Sequence, residues 1–184
     1  MATFAQSFKP ANNGVGVFPL STGGPQAINA TSATQNYPLG TRIRAIDPVL
    51  GEAEFIYAKG VANTAQYDAV TIDADYVTVR TVAAAKGQVG IAQSACVANQ
   101  FGWYLIFGRG LVTIAADVAA ALPAYVTATA GTVADDIVAT DHILGMQLSI
   151  GLDAGGSAVT GSSDTTAAHQ CVALLFYPYL ANAV

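Results

Sequence analysis

The chain predicts an all-β fold, a single small β-barrel or sandwich domain preceded by an extended N-terminal arm, on three observations. Short stretches of alternating apolar and polar residues recur from Gly40 onward, separated by Gly, Asn, Asp or Lys-Gly breaks. No stretch keeps a helical period for three turns. Residues 1–39 are rich in Gly, Asn, Ser, Thr and Pro, carry one charge, Lys9, and show neither period. A chain of 184 residues is long enough to close one core without disulfides or metal.

The elements follow in order. Residues 1–39 read as an arm whose scattered apolar anchors, Phe4, Phe8, Val15, Val17, Phe18, Leu20, Ile28, Tyr37 and Leu39, suit docking onto another surface better than a solvated tail. Residues 40–184 read as the β domain. In TRIRAID, Arg42, Arg44 and Ile46 point one way and Thr41, Ile43 and Ala45 the other, the pattern of a half-buried strand. EFIYAKG, DAVTID, YVTVRTV, QVGIAQS, QFGWYLIFGRGLVTI, AYVTATAG, HILGMQLSIG and QCVALLFYPY complete the set. AADVAAAL has the composition of one helical turn, stopped by Pro123. The small-residue tract 153–168 reads as an exposed, flexible loop.

Two strands are apolar on both faces. Trp103, Leu105 and Phe107 oppose Tyr104 and Ile106, and Cys171, Ala173, Leu175 and Tyr177 oppose Val172, Leu174 and Phe176. A barrel strand has one interior face, so the second needs cover from another layer of the same chain or from another subunit. With no helices for that layer, another chain is expected to supply part of it. The glycines of Gly108-Arg109-Gly110 suit a tight turn or a bulge, with Arg109 either solvated or paired to a carboxylate of a neighbouring subunit. The candidate contact residues are therefore Phe4, Phe8, Phe18 and Tyr37 of the arm, and Trp103, Tyr104, Ile106, Arg109, Leu174 and Phe176 of the strands.

Composition narrows the function classes. Hydrophobic residues make up 53% of the chain and charged residues 10%, against roughly 25% in ordinary soluble domains. No apolar span of about 20 residues is uninterrupted, so no membrane helix is expected. The start, MATFAQSFKPANNG, lacks a basic segment followed by an apolar one, so no secretory signal is expected either. The net charge of −5 and the absence of a basic cluster argue against nucleic acid as a partner. Cys96 and Cys171 sit among small or apolar neighbours, which suits two reduced thiols acting as core hydrophobes.

No phosphate-binding loop, dinucleotide fingerprint, zinc spacing or nucleophile elbow is present. Asp73 and Asp75 suit turn chemistry better than a cation site, and His142 and His169 fit no ligand or triad pattern. No catalytic, cofactor-binding or metal-ligating residue is expected, and no enzymatic activity.

The stretch YPLGTRIRAIDPVLGEAEFIYAKGVANTAQYDAVTID, then VGIAQSACVANQFGWYLIFGRGLVTI and DVAAALPAYVTATAGTV, resembles small virion proteins of tailed bacteriophages, over about residues 37–134. GEAEFIYAKG and FGWYLI are the most specific pieces. These look like capsid decoration or cement proteins. The resemblance implies a structural protein assembled in the host cytoplasm, bound to the capsid exterior through the major capsid protein, self-associating as a homo-oligomer, commonly a trimer, with no cofactor. A receptor- or glycan-binding virion module, or another head or tail component, is the alternative.

Overall fold

The computed structural model describes residues 9–10, 26–114, 122–135, 141–151 and 170–180. The stretch AADVAAAL up to residue 121, the loop 153–168, His169 and the arm residues Phe4, Phe8 and Phe18 lie outside them. Among the described residues there is no helix. The described residues form eleven strands in one antiparallel sheet: β1 (Lys9–Pro10), β2 (Arg42–Asp47), β3 (Gly51–Lys59), β4 (Ala69–Ile72), β5 (Thr78–Arg80), β6 (Gly87–Ala92), β7 (Phe101–Thr113), β8 (Leu122–Val126), β9 (Val133–Ala134), β10 (His142–Gly151) and β11 (Gln170–Leu180). The longer strands fall on the segments read from alternation. The short β1 and β9 carry too few residues to show a period.

The strand order is β1-β2-β3-β7-β6-β11-β10-β8-β9, with β4 on β6 and β5 on β4. β7 organises the sheet. Its first half pairs with β3 on one side and β6 on the other, and its second half with β11 from Phe107 to Thr113. The sheet curls without a closed ladder, and two single parallel bridges draw its ends inward: Lys59 to Val77 beside β5, and Ile114 to Val133 at β9.

Curling divides the interior in two. The larger core gathers Phe55, Tyr57, Trp103, Leu105, Val112, Leu148 and Leu175 from one sheet face. The smaller holds Ile56, Ala58, Val70, Ile72, Ala92, Tyr104 and Ile106. The β4–β5 hairpin thus covers the second face of the first half of β7 with the same chain. This corrects the expectation that another chain was needed there: Trp103, Tyr104 and Ile106 are all at most 1% exposed and have no surface left to offer. Periodicity signals a covered face but not the identity of its cover, and here a short hairpin does what a helix does in other folds.

The arm boundary also moves. Ile28 and Tyr37 are buried in the larger core, so residues 26–39 are part of the domain. Gln26 ties them down: its amide nitrogen donates to the carbonyl oxygens of Phe101 at 2.7 Å and Ala30 at 2.9 Å, and its amide oxygen accepts from the Tyr57 hydroxyl at 2.7 Å. Tyr37 then packs against Tyr57 and Trp103, with ring centroids 5.3 and 5.2 Å apart. Tyr37 is a core residue, not an outward anchor.

Candidate interaction surface

Two irregularities in the ladders build one surface. On β7, Phe55 pairs with Leu105 but Glu54 with Phe107, leaving Ile106 as an extra residue. Inward positions accordingly change from Trp103 and Leu105 to Val112 and Ile114, and Phe107, Arg109 and Leu111 turn to the opposite face. Gly108 makes this possible. Its φ is +98° and a Cβ there would stand 2.5 Å from the Glu52 carbonyl oxygen. Gly108-Arg109-Gly110 is therefore no turn but a passage of unbroken strand beside a bulge.

On β11 the irregularity is larger. Leu144 pairs with Tyr179 and Met146 with Leu175, so Gly145 alone faces Phe176, Tyr177 and Pro178. Tyr177 has φ 47°, a left-handed conformation that is costly for a bulky side chain. Expected on the same face as Leu175, which is buried, Tyr177 is instead 45% exposed on the outer face, because the bulge resets the alternation.

There Tyr177 meets Phe107, with ring centroids 5.2 Å apart, and Phe107 meets Phe176 edge-on at 5.9 Å. The Tyr177 hydroxyl donates to Glu54 Oε2 at 3.3 Å. Arg42 Nη1 lies 3.4 Å from Glu54 Oε1, and Arg44 Nε 3.4 Å from Oε2. The Arg42 guanidinium also stands 5.8 Å from the Tyr177 ring centroid. Glu54 is buried, so this network fixes ring positions more than it adds stability, since both arginines are largely exposed.

The rings it holds are open to solvent. Phe176 is 55% exposed, Tyr179 50% and Leu144 48%, and Tyr179 and Leu144 are cross-strand partners. Single exposed apolar side chains are ordinary, but a contiguous group marks a contact surface. Of the residues expected at a contact, Phe176, Leu174 and Arg109 come together here: Leu174 pairs with Arg109 and Phe176 with Phe107. Phe107, Tyr177, Tyr179, Leu144, Arg42, Arg44 and Glu54 complete the surface. Of these, the arginines left a direct trace in the sequence, as the outward positions of TRIRAID.

The interior carries little reactive chemistry. Burial pushes the Cys171 thiol up to about 12, with Asp135 adding to the effect, and also raises Cys96 and the Tyr104 phenol. Both thiols are free and buried. Burial raises Asp68 too, although the Ala65 amide and Arg80 act against it. Arg80 Nε is 2.7 Å from Asp68 Oδ2 as an ion pair, without the alignment of a hydrogen bond. Asp73 Oδ1 accepts the backbone amides of Asp75 at 2.9 Å and Val77 at 2.8 Å, which is turn chemistry. His142 lies against Tyr125, with ring centroids 5.1 Å apart. Among the described residues no three His, Cys, Asp or Glu side chains gather as a metal site.

No family model, no curated protein and no solved structure matches this chain.

Proposed function

We propose that this chain is a non-enzymatic structural protein that works by binding other protein surfaces. The exposed aromatic surface around Phe176, braced from behind by the Glu54 network, is the observation that carries this reading. A rigid apolar patch rimmed by arginine loses little conformational entropy on docking and suits a protein partner. The resemblance of residues 37–134 to phage virion proteins gives the setting: a decoration or cement protein on the exterior of a tailed-phage head, bound to the major capsid protein and self-associating, with a trimer as the expected oligomer.

The exposed Tyr177 beside Arg42 and Glu54 also lends something to a glycan-binding reading. Glycans are held by polar groups with hydrogen-bonding capacity to spare. Both Glu54 oxygens are already engaged by Arg42, Arg44 and Tyr177, which favours the protein partner.

The test is to find the chain in purified particles and image them. Many copies per head on the outer shell, with the Phe176 face against another protein, is the expected result. Absence from the particle, or a place in the tail, overturns the head-decoration reading.

A further inference from the structure

The topology leaves one edge of the sheet distinct from the others. Among the described residues, β5 and β9 are each drawn back to the sheet by a parallel bridge, whereas β2 is capped only by β1, through Lys9 opposite Ile46 and Pro10 opposite Ala45. Unpaired strand edges attract other strands. The cap leaves apolar groups uncovered: Ile46, although paired with Lys9, is 47% exposed, and Val49 beyond it is 71% exposed.

The link between β1 and the body is long for the distance it must cover. Gln26 is anchored at Phe101 and Tyr57. From Phe101 to β1 the path runs along β3 from Lys59 to Ala53 and across three strand spacings, about 25 Å from standard strand geometry. Residues 11–25 have a contour length of about 50 Å. A link twice as long as its own domain requires has length to spare, about 25 Å, for reaching the same edge on a copy in contact with it. A ladder of two residues gives little to hold a long link to its own domain, whereas exchange between copies brings a second body against Ile46 and Val49.

We propose that β1 is exchanged between copies: Lys9–Pro10 of one chain adds to β2 of a second, and the contact between the two bodies covers Ile46 and Val49. This rests on the reading that the chain self-associates. Directly opposed antiparallel residues have Cα atoms about 4.5–5.5 Å apart, within disulfide range, so the double variant Lys9→Cys with Ile46→Cys reports which chain supplies the strand. The native thiols are buried and do not compete.

The full chain would be oxidised at a concentration where sedimentation shows an oligomer, and run on a non-reducing gel. The expected product is a dimer or ladder released by reductant. Mixing the two single variants should also give a disulfide-linked mixed pair well in excess of the like-with-like pairs that each variant forms alone by collision of exposed thiols. A cross-linked monomer within an intact oligomer, or no cross-link at all, overturns the exchange and leaves self-association standing. A monomer in sedimentation overturns both.

Discussion

Gly145 and Phe176 face each other across the β10–β11 ladder so closely that a Cβ on Gly145 would stand 2.7 Å from the Phe176 carbonyl oxygen. With φ at +77°, Gly145 is also in the left-handed region that other residues rarely adopt. Gly145→Ala should therefore cost about 2–4 kcal/mol, combining backbone strain with the displacement of Phe176. Gly51→Ala is the control: its φ is +86° but nothing lies within 4 Å, so only strain remains, about 1–2 kcal/mol. Urea midpoints of the two variants should differ in that order. Equal losses would mean that the bulge yields freely and does not fix Tyr177.

Tyr179→Ser and Phe176→Ser test the surface itself. Tyr179 is half exposed, so its removal should change stability by no more than about 0.5 kcal/mol. Phe176→Ser should cost about 1 kcal/mol through its contact with Phe107. Association, with itself or with a capsid, should weaken at least tenfold for Phe176→Ser, as for a central interface aromatic. Unchanged sedimentation and unchanged particle attachment would exclude this face as the contact.

Much of the fold was legible because a half-buried strand writes its two faces into alternate residues. RIRAID reads outward and inward in turn, and β2 buries Ile43, Ala45 and Asp47 while exposing Arg42, Arg44 and Ile46. The surface was less legible because bulges break that code. LLFYPY reads as continuous alternation, yet three of its residues stand opposite Gly145, and Tyr177 changes face. A hint was present, since a lone glycine inside an apolar strand such as HILGMQLSIG often marks a bulge. The cover of Tyr104 and Ile106 by β4 and β5 was not legible, since those strands lie far from β7 in sequence and meet it only through curling of the sheet.

Trp103 separates core from interface. It is fully buried between Tyr37 and Tyr57, so Trp103→Ala should cost about 3–5 kcal/mol, with a midpoint that depends on protein concentration no more steeply than that of the unsubstituted chain. Its indole nitrogen is buried with no hydrogen-bond partner among the described residues. Trp103→Phe removes that unpaired group along with part of the ring, so its loss should stay below about 2 kcal/mol. A concentration dependence for Trp103→Ala clearly steeper than that of the unsubstituted chain would return the residue to an interface.

Alkaline pH should unfold the protein earlier than its charge suggests. Burial raises Cys171 to about 12 and also raises Cys96, Tyr37, Tyr57, Tyr67 and Tyr104 above their ordinary values. In the unfolded chain these groups ionise between about pH 8.5 and 10. Below that window both states hold their protons and the stability is fully present. Above it the unfolded state releases protons while the folded state keeps them, so stability falls with rising pH until the folded values are reached. For Cys171 and Tyr104, both deeply buried, the slope once both titrate in the unfolded chain is about 3 kcal/mol per pH unit, at about 1.4 for each proton. Urea midpoints should thus be level from pH 6 to 8 and decline steadily above pH 9. Cys171→Ala should flatten the decline where the thiol titrates first, between about pH 8.5 and 10, and leave the steeper tyrosine-driven fall above it. A midpoint that held constant to about pH 11 would mean that these groups are as accessible to ionisation in the folded chain as in the unfolded one, and that the two cores do not exclude water as their packing requires.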